Sequence, residues 1–101
     1  MMMAYDSSWG PAALAEETIA AVRSALVRYV DAPSNGDELR SALHAMAAEA
    51  RAKSVAPEQL LVALKDIWYS LPAVRGMHDP AEQIRLLQRV VTMCIKEYYA
   101  D

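Results

Sequence analysis

The chain has 101 residues, 54% of them apolar and 23% charged, a one-domain length that can bury a modest core without metal or disulfide support. A net charge of −3 argues against a non-specific phosphate-backbone binder, which would carry a basic excess. One cysteine, Cys94, rules out an intramolecular disulfide and points to a reduced, cytoplasmic setting.

Residues 1–10, MMMAYDSSWG, lack the basic region and apolar stretch of a secretory signal. They read as a mobile lead-in whose Tyr5 and Trp9 fold back on the body of the protein, since large aromatics seldom stay fully wet. Residues 11–101 read as a single four-helix domain. No run approaches the ~18 apolar residues of a membrane span, which leaves peripheral attachment to a membrane complex open.

Gly10-Pro11 opens a first helix over 11–30, with proline in its first turn and Glu16 and Glu17 near the positive end of the dipole. Ala15, Ile19, Val22, Leu26 and Tyr29 form a coiled-coil-like stripe suited to nearly antiparallel packing. A turn at Asp31-Ala-Pro-Ser-Asn-Gly follows, in which Ser34 or Asn35 can cap a second helix over 36–53. That helix has a narrow apolar face of Leu39, Leu43, Met46 and Ala50 opposite Arg40, His44, Ala48 and Arg51, so it is expected to pack lightly and on one side. The pattern breaks at 52–56, and the short connection predicts an antiparallel or steeply crossed pair with the next helix.

The third helix, 57–71, is the most apolar. Leu60, Leu61, Leu64, Ile67, Trp68 and Leu71 share its core face, Pro57 suits its first turn, and Leu71-Pro72 stops it. Val62 and Tyr69 lie on the opposite face beside Lys65. A loop, Pro72 to His78, leads to Asp79-Pro80-Ala81-Glu82, which combines cap, proline and capping-box glutamate and opens a fourth helix over 80–99. Ile84, Leu87, Val91, Ile95 and Tyr98 read as its core stripe. Leu86, Val90 and Met93 then widen the apolar arc to about 200°, where a surface helix needs about 100°. The expected core includes Leu26, Leu64, Ile67, Trp68 and Val91, and the expected fold is an all-α, up-and-down four-helix bundle.

Residues that could carry chemistry are few. His44, His78 and Cys94 are not at metal-ligand spacings, so no metal and no cofactor is expected. Cys94 has no nearby base in the sequence and reads as a small buried hydrophobe. The three glycines do not form a phosphate loop, and no nucleophile elbow is present. Glu16-Glu17 and Asp37-Glu38 are explained by helix dipoles. A helix-turn-helix reading with Arg51, Lys53 and Lys65 on phosphates founders on the outer face of the third helix, where Val62 and Tyr69 stand in place of base-reading side chains.

Two functional readings follow. The surplus apolar surface at Leu86, Val90, Met93, Val62 and Tyr69 points to a non-enzymatic interaction module that binds another protein or a second copy of itself. The basic stripe of Arg85, Arg89 and Lys96 on the fourth helix is then a contact for an acidic partner. From a different class, His44 on an all-helical scaffold, with Arg40 one turn before it and small Ala47 and Ala48 after, resembles a histidine-containing phosphotransfer domain. The resemblance implies a phosphoacceptor role for His44; the Lys and Gly that follow the family's histidine at three and four positions are replaced here by Ala47 and Ala48.

Overall fold

The computed structural model describes residues 14–34 and 36–100, with no strand among them. Its helices are α1 (Glu16–Asp31), α2 (Asp37–Ala52), α3 (Pro57–Ser70), α4 (Pro72–Arg75) and α5 (Pro80–Tyr98). The fold is all-α. The expected lead-in and Pro11 lie outside the described residues, and the first helix, expected from residue 11, begins only at Glu16, after an extended Ala15.

The N-terminal end of α1 is capped from a distance. Ala15, at the N-cap position, has no side-chain acceptor. Glu49 of α2 supplies one, accepting the Ala15 N–H at 2.6 Å and the Thr18 hydroxyl at 2.5 Å. A carboxylate at this position satisfies orphan N–H groups and complements the positive helix end together. At the other end of the pair Arg28 of α1 donates to both oxygens of Glu38 at 2.9 and 2.7 Å, so α1 and α2 run antiparallel. The link between them places Gly36, rather than Ser34, at the N-cap of α2. The absence of a side chain there admits Met93 and Tyr29, whose Cε and Cε1 would lie 3.4 and 3.6 Å from an added Cβ.

The exit from α2 explains the break at 52–56. Ser54 adopts φ 59°, and the Val55 N–H donates to Ala50 O at 2.8 Å while Ser54 N–H donates to Arg51 O at 3.2 Å. This is a Schellman termination with serine at the left-handed position usually held by glycine. Val55 and Ala50 are both buried, the apolar contact that accompanies such an ending.

α3 begins at Pro57, with the Gln59 side chain accepting the Ala56 N–H at 3.1 Å, and ends in the extended residue Leu71 before Pro72, as the proline demands. Leu60, Leu64, Ile67, Trp68 and Leu71 are buried, and Leu61 is half-buried. The indole N–H of Trp68 is buried with no acceptor among the described residues, and the ring fills the core by its bulk. The segment after Pro72, expected as a loop, instead forms the single turn α4. Proline is pre-organised for a first helical position, and the turn drives Val74 into full burial. α5 starts as expected, with Asp79 Oδ1 accepting the Ala81 N–H at 3.0 Å and Pro80 next to it.

Packing departs from the expected neighbours. α2 packs extensively on both α1 and α5 and shares little surface with α3, while α3 packs on α5, α4 and α1. α3 and α5 are antiparallel: Tyr98 donates its hydroxyl to Val55 O at 2.9 Å at one end, and the Gln83 amide donates to Val74 O at 2.9 Å at the other. α2 is therefore not a lightly packed helix. Leu39, Leu43, Met46, Ala47 and Ala50 are buried, and its polar side meets the C-terminal end of α5, where Arg51 donates to Tyr98 O at 3.2 Å and Ala100 O at 2.9 Å. Alanines at 25, 47, 50 and 63 are all buried; small side chains at these crossings let helix backbones approach closely.

Candidate interaction surface

The decisive feature is which side of α5 the core takes. Leu86 is 3% and Val90 0% exposed, each buried wholly by its own chain, whereas Ile84 is 52% and Ile95 39% exposed. This corrects the assignment of Leu86 and Val90 to an interface and of Ile84 and Ile95 to the core. The physical reason lies in the partners of α5. Met93 lies against Gly36, Glu97 meets His44 and Arg51 reaches Tyr98 O, which turns the 86–90–94 row toward the α1/α2 pair. The 84–91–95 row, about a quarter to a third of a turn away, is left at the edge facing α3. Val91 and Met93 are half-buried and Leu87 is buried; Met93 thus belongs to the margin of the core.

Val62 and Tyr69 are 54% and 48% exposed, on the outer face of α3 where the spacing puts them. Tyr69 and Lys65 of α3 together with Ile84, Leu87, Gln88, Val91 and Thr92 of α5 line a depression of about 500 Å³. Its floor is apolar because α3 and α5 meet along Leu87 and half-buried Val91, while Ile84 and Tyr69 stand above on either wall. Surplus apolar surface therefore exists, but it is a groove between α3 and α5 rather than the Leu86–Val90 row.

A second, shallower depression of about 380 Å³ lies across α5, lined by Tyr29, Arg85, Gln88, Arg89, Thr92 and Met93. It shares Gln88 and Thr92 with the apolar groove, so the two form adjoining strips separated by one polar ridge. Arg85, Arg89 and Lys96 are exposed. Arg85 is paired with Glu82 one turn earlier, and the hydrogen bond and charge of Glu82 raise the guanidinium pKa further above its ordinary value.

His44 is exposed on α2, with its Nδ1 2.9 Å from Glu97 Oε1 of α5. A carboxylate can only accept, so Nδ1 carries a proton in this pair and Nε2 is directed away from it. The spacing 44 to 97 carries no local signal; only the packing of α2 on α5 brings the two together. Cys94, one turn before Glu97, is fully buried, and burial, with a smaller push from the Glu97 charge, raises its thiol to a pKa of about 11. It is a protonated, shielded thiol at neutral pH, as its place on an apolar stripe suggested.

The residue that the sequence reading passed over is Glu49. Burial pushes its pKa up, but hydrogen bonds from Lys53, Thr18 and the Ala15 N–H, with the Lys53 charge, outweigh this and hold it below the ordinary value. Lys53 Nζ lies 2.5 Å from Glu49 Oε2. The Glu49–Lys53 spacing of four was visible as a helical ion pair; the contact to Ala15, 34 residues away, was not. Among the described residues no group of three His, Cys, Asp or Glu side chains is placed to hold a metal ion, and no helix is long and apolar enough to cross a membrane. No family model, curated protein or solved structure matches the chain.

Proposed function

We propose that this chain is a small helical interaction module, a subunit, adaptor or regulatory protein of a larger assembly, which binds another protein or a second copy of itself and has no chemistry of its own. The observation that carries the reading is the apolar groove between α3 and α5, with exposed Tyr69 and Ile84 among its lining residues. Scattered single apolars are normal on a monomer, whereas a contiguous apolar strip beside polar residues marks an interaction site. The four long helices serve as an up-and-down scaffold for that strip, in a cytoplasmic setting. Val62→Glu, on the outer face of α3, should abolish association seen by sedimentation or by recovery of a partner from the native cell, with the helical circular dichroism unchanged. Association that survives Val62→Glu and Tyr69→Glu would count against the groove.

A second reading is favoured by one observation. The Glu97 carboxylate orients His44 with Nε2 directed away from the pair, the arrangement that suits an imidazole acting as a nucleophile, so phosphotransfer through His44 remains the competing reading. Acid-labile phosphate on the wild type and none on His44→Gln, after incubation with a receiver domain or histidine kinase of the same organism, supports it. No label on either protein opposes it.

A further inference from the structure

Resting on the interaction reading, we infer that the occupant of the α3/α5 groove is an amphipathic helix of a different protein, apolar on one side and acidic along the flank that meets α5. Shape comes first. The groove is concave and runs between two antiparallel helices, the form into which a helix inserts side chains at i, i+3, i+4 and i+7. Its apolar floor and walls are Tyr69, Ile84, Leu87 and Val91.

Charge then selects the partner. Between Gln83 and Lys96 the sequence of α5 contains Arg85, Arg89 and Lys96 and no carboxylate, in a protein whose net charge is −3. Arg85 and Arg89 line the depression that adjoins the groove across Gln88 and Thr92, and Lys65 lines the groove from the α3 side with exposed Asp66 next to it. A helix lying in the groove thus has the arginine strip on its α5 flank and a mixed Lys65–Asp66 edge on the other. On α5 the nearby carboxylate is peripheral: Glu82 is in the first turn, tied to Arg85. An acidic flank on the ligand would meet the arginine strip and raise the association rate.

The same charges disfavour the other occupants. Two copies joined face to face about a two-fold axis that runs across the groove would bring the arginine strips toward one another. An anionic membrane would match the cations, but insertion requires a protruding apolar face, whereas here Leu87 and Val91 lie in a hollow. Residues 1–13 offer one carboxylate, Asp6, and carry Gly10-Pro11, a poor sequence for an acidic helix.

The test is photo-cross-linking in the native cell with the full chain carrying p-benzoylphenylalanine in place of Ile84, and separately in place of Tyr69. The expected product is a peptide of another protein with apolar residues at helical spacing and carboxylates along one flank. A synthetic copy of that peptide should bind the purified wild type, and Arg85→Glu with Arg89→Glu should weaken it by about tenfold or more; exchanging the peptide's flanking Glu for Lys should restore binding to the doubly substituted protein. A cross-linked partner that lacks an acidic flank, or whose peptide is indifferent to the charge reversal, overturns the acidic-helix inference and leaves the interaction module standing. Cross-links to a second copy or to residues 1–13, or co-sedimentation with phosphatidylglycerol-containing vesicles without a protein cross-link, overturn it in favour of those occupants. No cross-link from either position overturns both the inference and the module.

Discussion

The two apolar sides of α5 have much the same composition and opposite fates. One row, Leu86, Val90 and Cys94, is buried; the other, Ile84, Val91 and Ile95, remains half open. Both satisfy the helical period, so hydrophobicity does not choose between them. The choice comes from α2, whose alanine-rich surface admits a close crossing and whose His44 and Arg51 engage the end of α5. An apolar arc of about 200° on one helix thus marks that the helix has two neighbourhoods without saying which is the core.

The sharpest way to break this comparison is Val90→Glu. Its carboxylate would enter a site with no solvent exposure, and an unpaired buried charge costs several kcal/mol. The expected outcome is loss of the cooperative thermal transition by circular dichroism, not merely loss of association.

Next in size is Glu49→Gln, which tests how the α1/α2 half is held. Removing the charged acceptor of the Ala15 N–H, the Thr18 hydroxyl and the Lys53 ammonium should cost about 1–2 kcal/mol, read from urea midpoints at neutral pH. The sign with pH is set by the lowered pKa. The contribution of Glu49 is fully present above its ordinary value of 4.5 and is lost as pH falls through the lower folded value. The wild type should therefore lose more stability than Glu49→Gln below about pH 4.5, so that the two curves converge in acid.

A smaller effect of opposite sign is expected at the α2 exit. Ser54→Gly relieves a left-handed residue and should stabilise by about 0.5–1 kcal/mol, an increase in thermal midpoint with no change in the groove.

How much of this was legible in the residues depends on whether the signal was local. The α3 core face, its Pro57 start and its Leu71-Pro72 stop, and the Asp79-Pro80 opening of α5 all follow from neighbours within a turn or two, and they are found as the spacing implies. The helix start at Glu16 and the cap from Glu49 are not local: the acceptor comes from 34 residues downstream. The turn at α4 was hidden because the proline that ends one helix also suits the first position of the next. The surface was legible in part. Val62 and Tyr69 stand outside on α3, because that helix has one unambiguous apolar face; Leu86 and Val90 do not, because the face of α5 was decided by a neighbour. His44 was visible as an exposed histidine, its partner Glu97 only through the fold.

The measurement that bears most directly on the central claim is the urea midpoint of Ile84→Glu beside that of the wild type. If the Ile84 side of α5 is open surface and the Val90 side is core, the charge at position 84 should leave stability unchanged within about 0.5 kcal/mol, with the denaturant slope preserved. A loss of about 2 kcal/mol or more, of the size produced when a core side chain is removed, would show that Ile84 is buried in the folded protein and that the two sides of α5 have been assigned the wrong way round.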